Sequence, residues 1–355
     1  SDLVPGDTND SADIFVYDRQ ADAMSRVSVA SDGTGGGEVG DYSAISANGR
    51  YVAFTSGATD LVAGDTNGHR DVFVHDRQSR TTTRVSVASD GTEADSWRGG
   101  EGSRGISISD GGRYVAFLSQ ASNLVEGDTN APGVGFDVFV HDTQTATTER
   151  VSVASDGTEA DRNSFVPAIS GDGRHVAFSS GATKLVEGDT NYQVDVFVHD
   201  RQTGTTTRVS VATDGTQCND EEGCGSQPDL SSAGRYIVFT GSDTLLPAGQ
   251  DGLILRDTQA STTAAIPNST NGNRASISGD GALIAFQSGE ALVPEDTNDV
   301  RDVFVHDRQT GTTSRVSVAS DGTQGNDNSG DAAISEDGSY VVFSSGADLT
   351  GGGPG

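Results

Sequence analysis

The phrase Asp-(Val/Ile)-Phe-Val-(His/Tyr)-Asp begins at Asp13, Asp71, Asp137, Asp195 and Asp302. That recurrence constrains the fold more than any other feature of the chain. A degenerate copy at 253–257 fills the gap between the fourth and fifth. A second phrase, Ile-Ser-x-x-Gly-Arg-Tyr-Val-Ala-Phe, recurs six times in looser form and is clearest at 45–54, 108–117 and 169–178. A third, Arg-Val-Ser-Val-Ala-Ser-Asp-Gly-Thr, closes most units, as at 26–34 and 84–92. Six units in 355 residues give about 59 residues each. Each unit reads as four short strands rich in Val, Ile, Phe, Tyr and Thr, bounded by Gly, Asp, Asn and Ser. Segments such as Val72-Phe73-Val74 are apolar on both faces, as in a sheet packed between two others. No window of helical length has apolar spacings of three and four.

Six four-stranded units predict an all-β, six-bladed β-propeller of antiparallel blades. A straight solenoid would need capping repeats, and none is visible. The N-terminus opens in mid-unit, and the C-terminus supplies the missing first half. The expected domain is therefore 1–349, its last blade closed by 1–34 with 331–349, followed by a Gly-rich tail at 350–355. Such closure would remove exposed strand edges.

These repeats resemble those of TolB-like six-bladed propellers, the WD40-like group named for a Pro-Asp pair. The resemblance covers nearly the whole chain. It implies a binding platform, or a channel-bearing domain of the kind found beside peptidase domains. The Pro before Asp-Gly is missing here, with Ser170-Gly171-Asp172-Gly173 and Ser335-Glu336-Asp337-Gly338 in its place.

Charge narrows the function. There are 52 acidic residues against 22 basic, a net charge of −30. That disfavours nucleic acid, which needs clustered Lys and Arg, and disfavours an anionic membrane surface. No apolar run approaches the roughly 20 residues of a membrane helix. Only 33% of residues are hydrophobic, and Gly numbers 47. By count 12 acidic residues are Glu, leaving 52 − 12 = 40 Asp. Asp favours turns and oxygen-ligand loops. This bias would equally suit high salt or a high-GC genome.

Five units carry an Asp-Thr-Asn loop before the third strand. The candidate metal sets are Asp7, Asn9 and Asp13; Asp65, Asn67 and Asp71; Asp128, Asn130 and Asp137; Asp189, Asn191 and Asp195; and Asp296, Asn298 and Asp302. Oxygen ligands at loop positions 1, 3 and 7 resemble calcium loops, so up to five calcium ions are expected. The alternative is an Asx turn whose carboxylates cap backbone amides. The degenerate unit, with Asp243-Thr244-Leu245, lacks the Asn.

Other chemistry is sparse. His75, His141, His199 and His306 share one repeat position and read as structural. Cys218 and Cys224 flank an acidic loop and read as a disulfide, which with the start at Ser1 suggests secretion, outside the cell or at its surface. Catalytic signatures such as Gly-x-Ser-x-Gly or His-Glu-x-x-His are absent. Tyr42, Trp97, Arg98, Arg104 and Phe165 interrupt small and acidic loop residues and are the candidate contacts for a protein or glycan partner. Three readings follow: a secreted non-catalytic calcium-binding scaffold, a self-assembling surface or filament subunit, or a hydrolase or lyase with a channel-mouth site.

Overall fold

A computed structural model describes residues 3–4, 11–36, 39–95, 105–129, 135–220, 223–247 and 250–349. Among these, the chain forms 24 strands and one 3-10 turn, Asp243–Leu245. Five sheets are four-stranded, and in each the strands follow one another in chain order. One such unit is Val39–Ile45, Tyr51–Ser56, Asp71–Asp76 and Thr81–Arg84, antiparallel throughout. The chain divides into two compact units, Ser1–Ile169 and Ser170–Gly355. The division falls after the first strand of the third sheet, Ser164–Ile169.

The repeated apolar phrases form the centre of each sheet. Second and third strands pair so that Phe54 faces Phe73, Phe117 faces Phe139, Phe178 faces Phe197 and Phe286 faces Phe304. All eight rings are fully buried. Each pair stacks with centroids 5.8–5.9 Å apart, a geometry worth about 0.5–1.5 kcal/mol beyond burial. In the degenerate unit Phe239 faces Ile254, so burial survives while stacking is lost.

Turn chemistry sets the register. The Gly-Arg-Tyr turn has a glycine at positive φ, such as Gly112 at 75°. A Cβ on Gly112 would stand 2.1 Å from the Tyr51 ring, so only glycine lets that ring of the preceding blade pack there. The following arginine forks onto the aspartate that ends the third strand. Arg50 Nε and Nη2 donate to Asp76 at 2.8 and 2.6 Å, and the pattern repeats at Arg113–Asp142, Arg174–Asp200 and Arg235–Asp257.

Phe15–Asp18 pairs with Ala23–Arg26, and Ser329–Ile334 pairs with Val341–Ser345, but these remain two separate two-stranded sheets. In the other blades second and third strands follow one another directly in the chain, as Tyr51–Ser56 and Asp71–Asp76 do. Here those strands are at opposite chain ends. Val342 is 72% exposed, whereas its repeat equivalent Ala53 is fully buried.

Candidate site: arginine-centred carboxylate loops

The Asp-Thr-Asn loops bring their carboxylates together, but around a residue that the loop motif does not contain. Arg84 closes the fourth strand, and its Nη1 lies 3.1 Å from Asp65 Oδ1, 3.3 Å from Asp71 Oδ2 and 2.6 Å from Glu93 Oε1. Arg150 repeats this with Asp128, Asp137 and Glu159 at 3.3, 3.7 and 2.8 Å. Arg208 Nη1 reaches Asp189 and Asp195 at 3.2 and 3.7 Å, with Gln217 accepting from Nη2 at 3.0 Å. Arg315 Nη1 reaches Asp296, Asp302 and Gln324 at 2.9, 3.3 and 3.0 Å. In the first set, Arg26 donates to Asp13 at 3.3 Å, while Asp7 and Asn9 lie outside the described residues. Asn130 lies outside them too.

Asp71 and Glu93 are also tied to the backbone. Asp71 Oδ1 accepts from Ser86 Oγ at 2.5 Å, and Ser86 Oγ in turn accepts the Val72 amide at 2.9 Å. Glu93 accepts from the amide and hydroxyl of Thr66 at 2.8 and 2.6 Å. These bonds, joined by Arg84, hold Glu93 down at a pKa of about 2. Burial pushes the Asp71 carboxyl up, against the pull of Ser86 and Arg84. Burial, then Asp71, pushes Asp65 the same way. Asp195 and Asp296 are raised by burial first as well.

The asparagines decide how these loops suit calcium. Asn67 Nδ2 donates to Asp71 Oδ2 at 3.0 Å and to the Ala94 carbonyl at 3.3 Å, while its Oδ1 accepts the His69 amide. Asn191 and Asn298 are turned the same way, onto Asp195 and the Cys218 carbonyl, and onto Asp302 and the Gly325 carbonyl. A calcium ligand must present oxygen. Here two acceptors face each amide nitrogen, and an arginine nitrogen sits among the carboxylates. In the three loops whose asparagine is described, the residues fit an internal cation and do not fit a bound hard metal. Asp128, Asp137 and Glu159 do place three carboxylate oxygens within 4.8 Å of one another, the spacing of a metal group, with Arg150 beside them.

The arginine had a sequence signal. It stands 13 residues after the third-strand Asp in all five units that carry the loop (13/26, 71/84, 137/150, 195/208, 302/315). Among the other expected residues, Cys218 and Cys224 form a buried disulfide. Tyr42 packs partly against the hydrophobic core, and Phe165 is half-buried in a first strand. Trp97, Arg98 and Arg104 lie outside the described residues. One exposed aromatic was not anticipated: Tyr192, directly after Asn191, is 68% exposed with φ 59°. The four repeat histidines each bond through Nδ1 to a threonine hydroxyl, at 2.8–3.0 Å.

Neither a family model nor a curated protein matches this sequence. Solved structures do. A putative TolB from Agrobacterium tumefaciens is similar at 17% identity and TM-score 0.52, over 94% of this chain and 97% of that one. The β-propeller domain of the Trilobed protease from Pyrococcus furiosus, described as having an open velcro topology, is similar at 12% identity and TM-score 0.52, over 86% and 77%. An oligogalacturonate lyase in complex with manganese is similar at 12% identity and TM-score 0.51, over 93% and 77%. At such identities the likeness is one of fold: the chain has the TolB-type β-propeller fold.

Proposed function

We propose that this chain is a non-catalytic propeller scaffold that binds a protein or glycan partner through the loops preceding its third strands, in the cell envelope or outside the cell. The observation that carries this reading is the way those loops are built. Arginine, carboxylate, serine and asparagine side chains bond to one another around the described loops, and an aromatic side chain stands exposed beside one of them. Tyr192 is the clearest case: Asn191 before it is bonded to Asp195 and the Cys218 carbonyl and accepts the amide of Gln193 after it, and the Tyr192 residue is 68% exposed. Exposed aromatics on fixed loops are effective contact residues because they add area at small entropic cost. No helix among the described residues is long and apolar enough to cross a membrane. The Cys218–Cys224 disulfide supports an oxidising compartment.

The non-catalytic part of the reading rests on where the reactive side chains are engaged. The repeat histidines bond to threonines, and the grouped carboxylates pair with arginines. The test is binding of the immobilised chain to envelope fractions of its source and to a glycan panel. Tyr192→Ala should lower retention of the bound partner about tenfold or more, the loss expected for a central aromatic contact. Arg201→Ala, at the opposite end of the same blade, should leave it unchanged. Equal retention by Tyr192→Ala and the parent chain would refute the assigned face.

A further inference from the structure

We propose that the resident cation of the Asp-Thr-Asn loops is the chain's own arginine, and that these loops order without calcium. The motif offers carboxylates at the spacing of a metal loop, yet in the two Glu-bearing loops one guanidinium nitrogen meets all three. Arg84 Nη1 touches Asp65, Asp71 and Glu93, and Arg150 Nη1 touches Asp128, Asp137 and Glu159. The arginine side chains that enter these loops are only 9% and 8% exposed. The same nitrogen of Arg315 meets both aspartates of its loop and Gln324. Calcium would take six to eight oxygens at about 2.3–2.6 Å. The asparagines turn nitrogen toward the carboxylates and so supply none of them.

The degenerate unit supplies independent support. Its register aligns Ile254 with Phe73 and Ala265 with Arg84, which puts Gly252 where Asp71 stands. Aspartate and arginine are thus lost together. A unit that had only given up a metal would have no reason to replace an arginine on the next strand. A unit whose aspartate was held by that arginine would lose both, since either one alone is a buried unpaired charge.

The loops also differ in surplus charge. Asp65, Asp71 and Glu93 against Arg84 leave two negative charges, as do Asp128, Asp137 and Glu159 against Arg150. Gln217 and Gln324 reduce this to one in the two later loops. The Glu-bearing loops are therefore the ones in which removing arginine should create a site for a divalent cation.

The experiment compares the parent chain with Arg84→Met and Arg150→Met, each treated with chelator and then titrated with calcium at low ionic strength. Melting is followed by scanning calorimetry, and binding by titration calorimetry. The parent should show no saturable calcium heat and no change in melting temperature. Each variant should melt lower by on the order of 10 °C, the scale expected for a stranded buried charge. Each should also gain a saturable calcium site that restores part of the loss. Arg84→Lys provides a folded intermediate if the methionine variants do not fold, and should fall between them and the parent in melting temperature. Saturable calcium binding by the parent with a raised melting temperature would overturn the proposal. So would variants as stable as the parent, or methionine variants that bind no more calcium than it does.

Discussion

At the scale of single residues, the degenerate unit explains the histidines. Arg256 stands where four other units have His, and its Nη1 donates to Thr263 Oγ1 at 2.9 Å. That hydroxyl then gives its one proton to the Val211 carbonyl at 2.5 Å. Thr82 and Thr148 likewise donate to Val29 and Val87 at 2.5 Å, so His75 and His141 must be donors through Nδ1–H. In the neutral ring Nε2 is then unprotonated, and both residues are buried. Burial pushes both pKa values down, against Asp76 and with Arg77 at His75, and against Asp142 at His141. A histidine with a folded pKa below its unfolded value near 6.5 leaves stability intact above that pH. Stability is then lost as pH falls toward the folded pKa. Melting temperature should therefore hold from about pH 8 to 7 and decline below roughly 6.5. The double variant His75→Asn, His141→Asn keeps a side-chain donor and should flatten that decline. A decline of equal size in the variant would assign it elsewhere.

A second loss belongs to the carboxylates. The Arg50 and Arg113 forks hold Asp76 and Asp142 well below the usual carboxylate range. Their contribution is complete above about pH 3.8 and disappears as pH falls through the folded values. Asp71, raised by burial, has the opposite sign and eases the fold toward acid. The acid limb should thus be shallower between the two losses than a simple sum of carboxylates would give, as a pH series of chemical melts would show.

At the scale of elements, the turns and the disulfide make separable claims. Gly112 and Gly91 both have positive φ, but only at Gly112 would a Cβ meet a ring. Gly91→Ala should cost about 1 kcal/mol from backbone strain alone. Gly112→Ala should cost more by about 1–3 kcal/mol because Tyr51 must move. Urea unfolding of the two variants measures the difference, and equal losses would remove the packing role of that glycine. The disulfide sits on hydrogen bonds that other blades make without one. The Cys224 amide bonds to Val194 O as Ser164 bonds to Phe136 O and Ser329 to Arg301 O. Cys218 likewise gives its carbonyl to Asn191 where Ala94 and Gly325 serve Asn67 and Asn298. Cys218→Ala with Cys224→Ser should lower stability by about 2 kcal/mol, the loop-closure value for so short a loop. The double variant should keep the parent circular dichroism spectrum; loss of the fold would show the bridge to be essential.

The same scale shows what the sequence could disclose. Strands were legible because Val-Phe-Val and Tyr-Val-Ala-Phe are apolar runs bounded by turn residues, and each pairs as the repeats imply. The arginines were harder to assign. Arg84 sits at the end of a polar strand, and its role appears only when that strand lies beside the loop before the third. Its fixed distance from Asp71 was visible, but as a repeat spacing it had no chemistry attached. The asparagine orientation was not legible at all, since Asp-x-Asn reads the same whether oxygen or nitrogen faces inward.

At the scale of the whole molecule, a chain with 33% hydrophobic residues and a charge of −30 builds its core from repeated, fully buried phenylalanines in thin sheets. Part of its acidity is internal, gathered in the loops where arginine holds it. The open account is at the chain ends, where Phe15–Asp18 and Val341–Ser345 form separate hairpins instead of one blade. On the proposal above, the loop face is ordered by the chain's own side chains. Hydrogen exchange of the Thr66, Thr129, Thr190 and Thr297 amides tests it most directly, because each donates to the Glu or Gln that meets the arginine. In chelator-treated protein these amides should be protected, and calcium should not slow their exchange further. Exchange at the rate of an unstructured peptide without calcium, with protection appearing only when calcium is added, would contradict it.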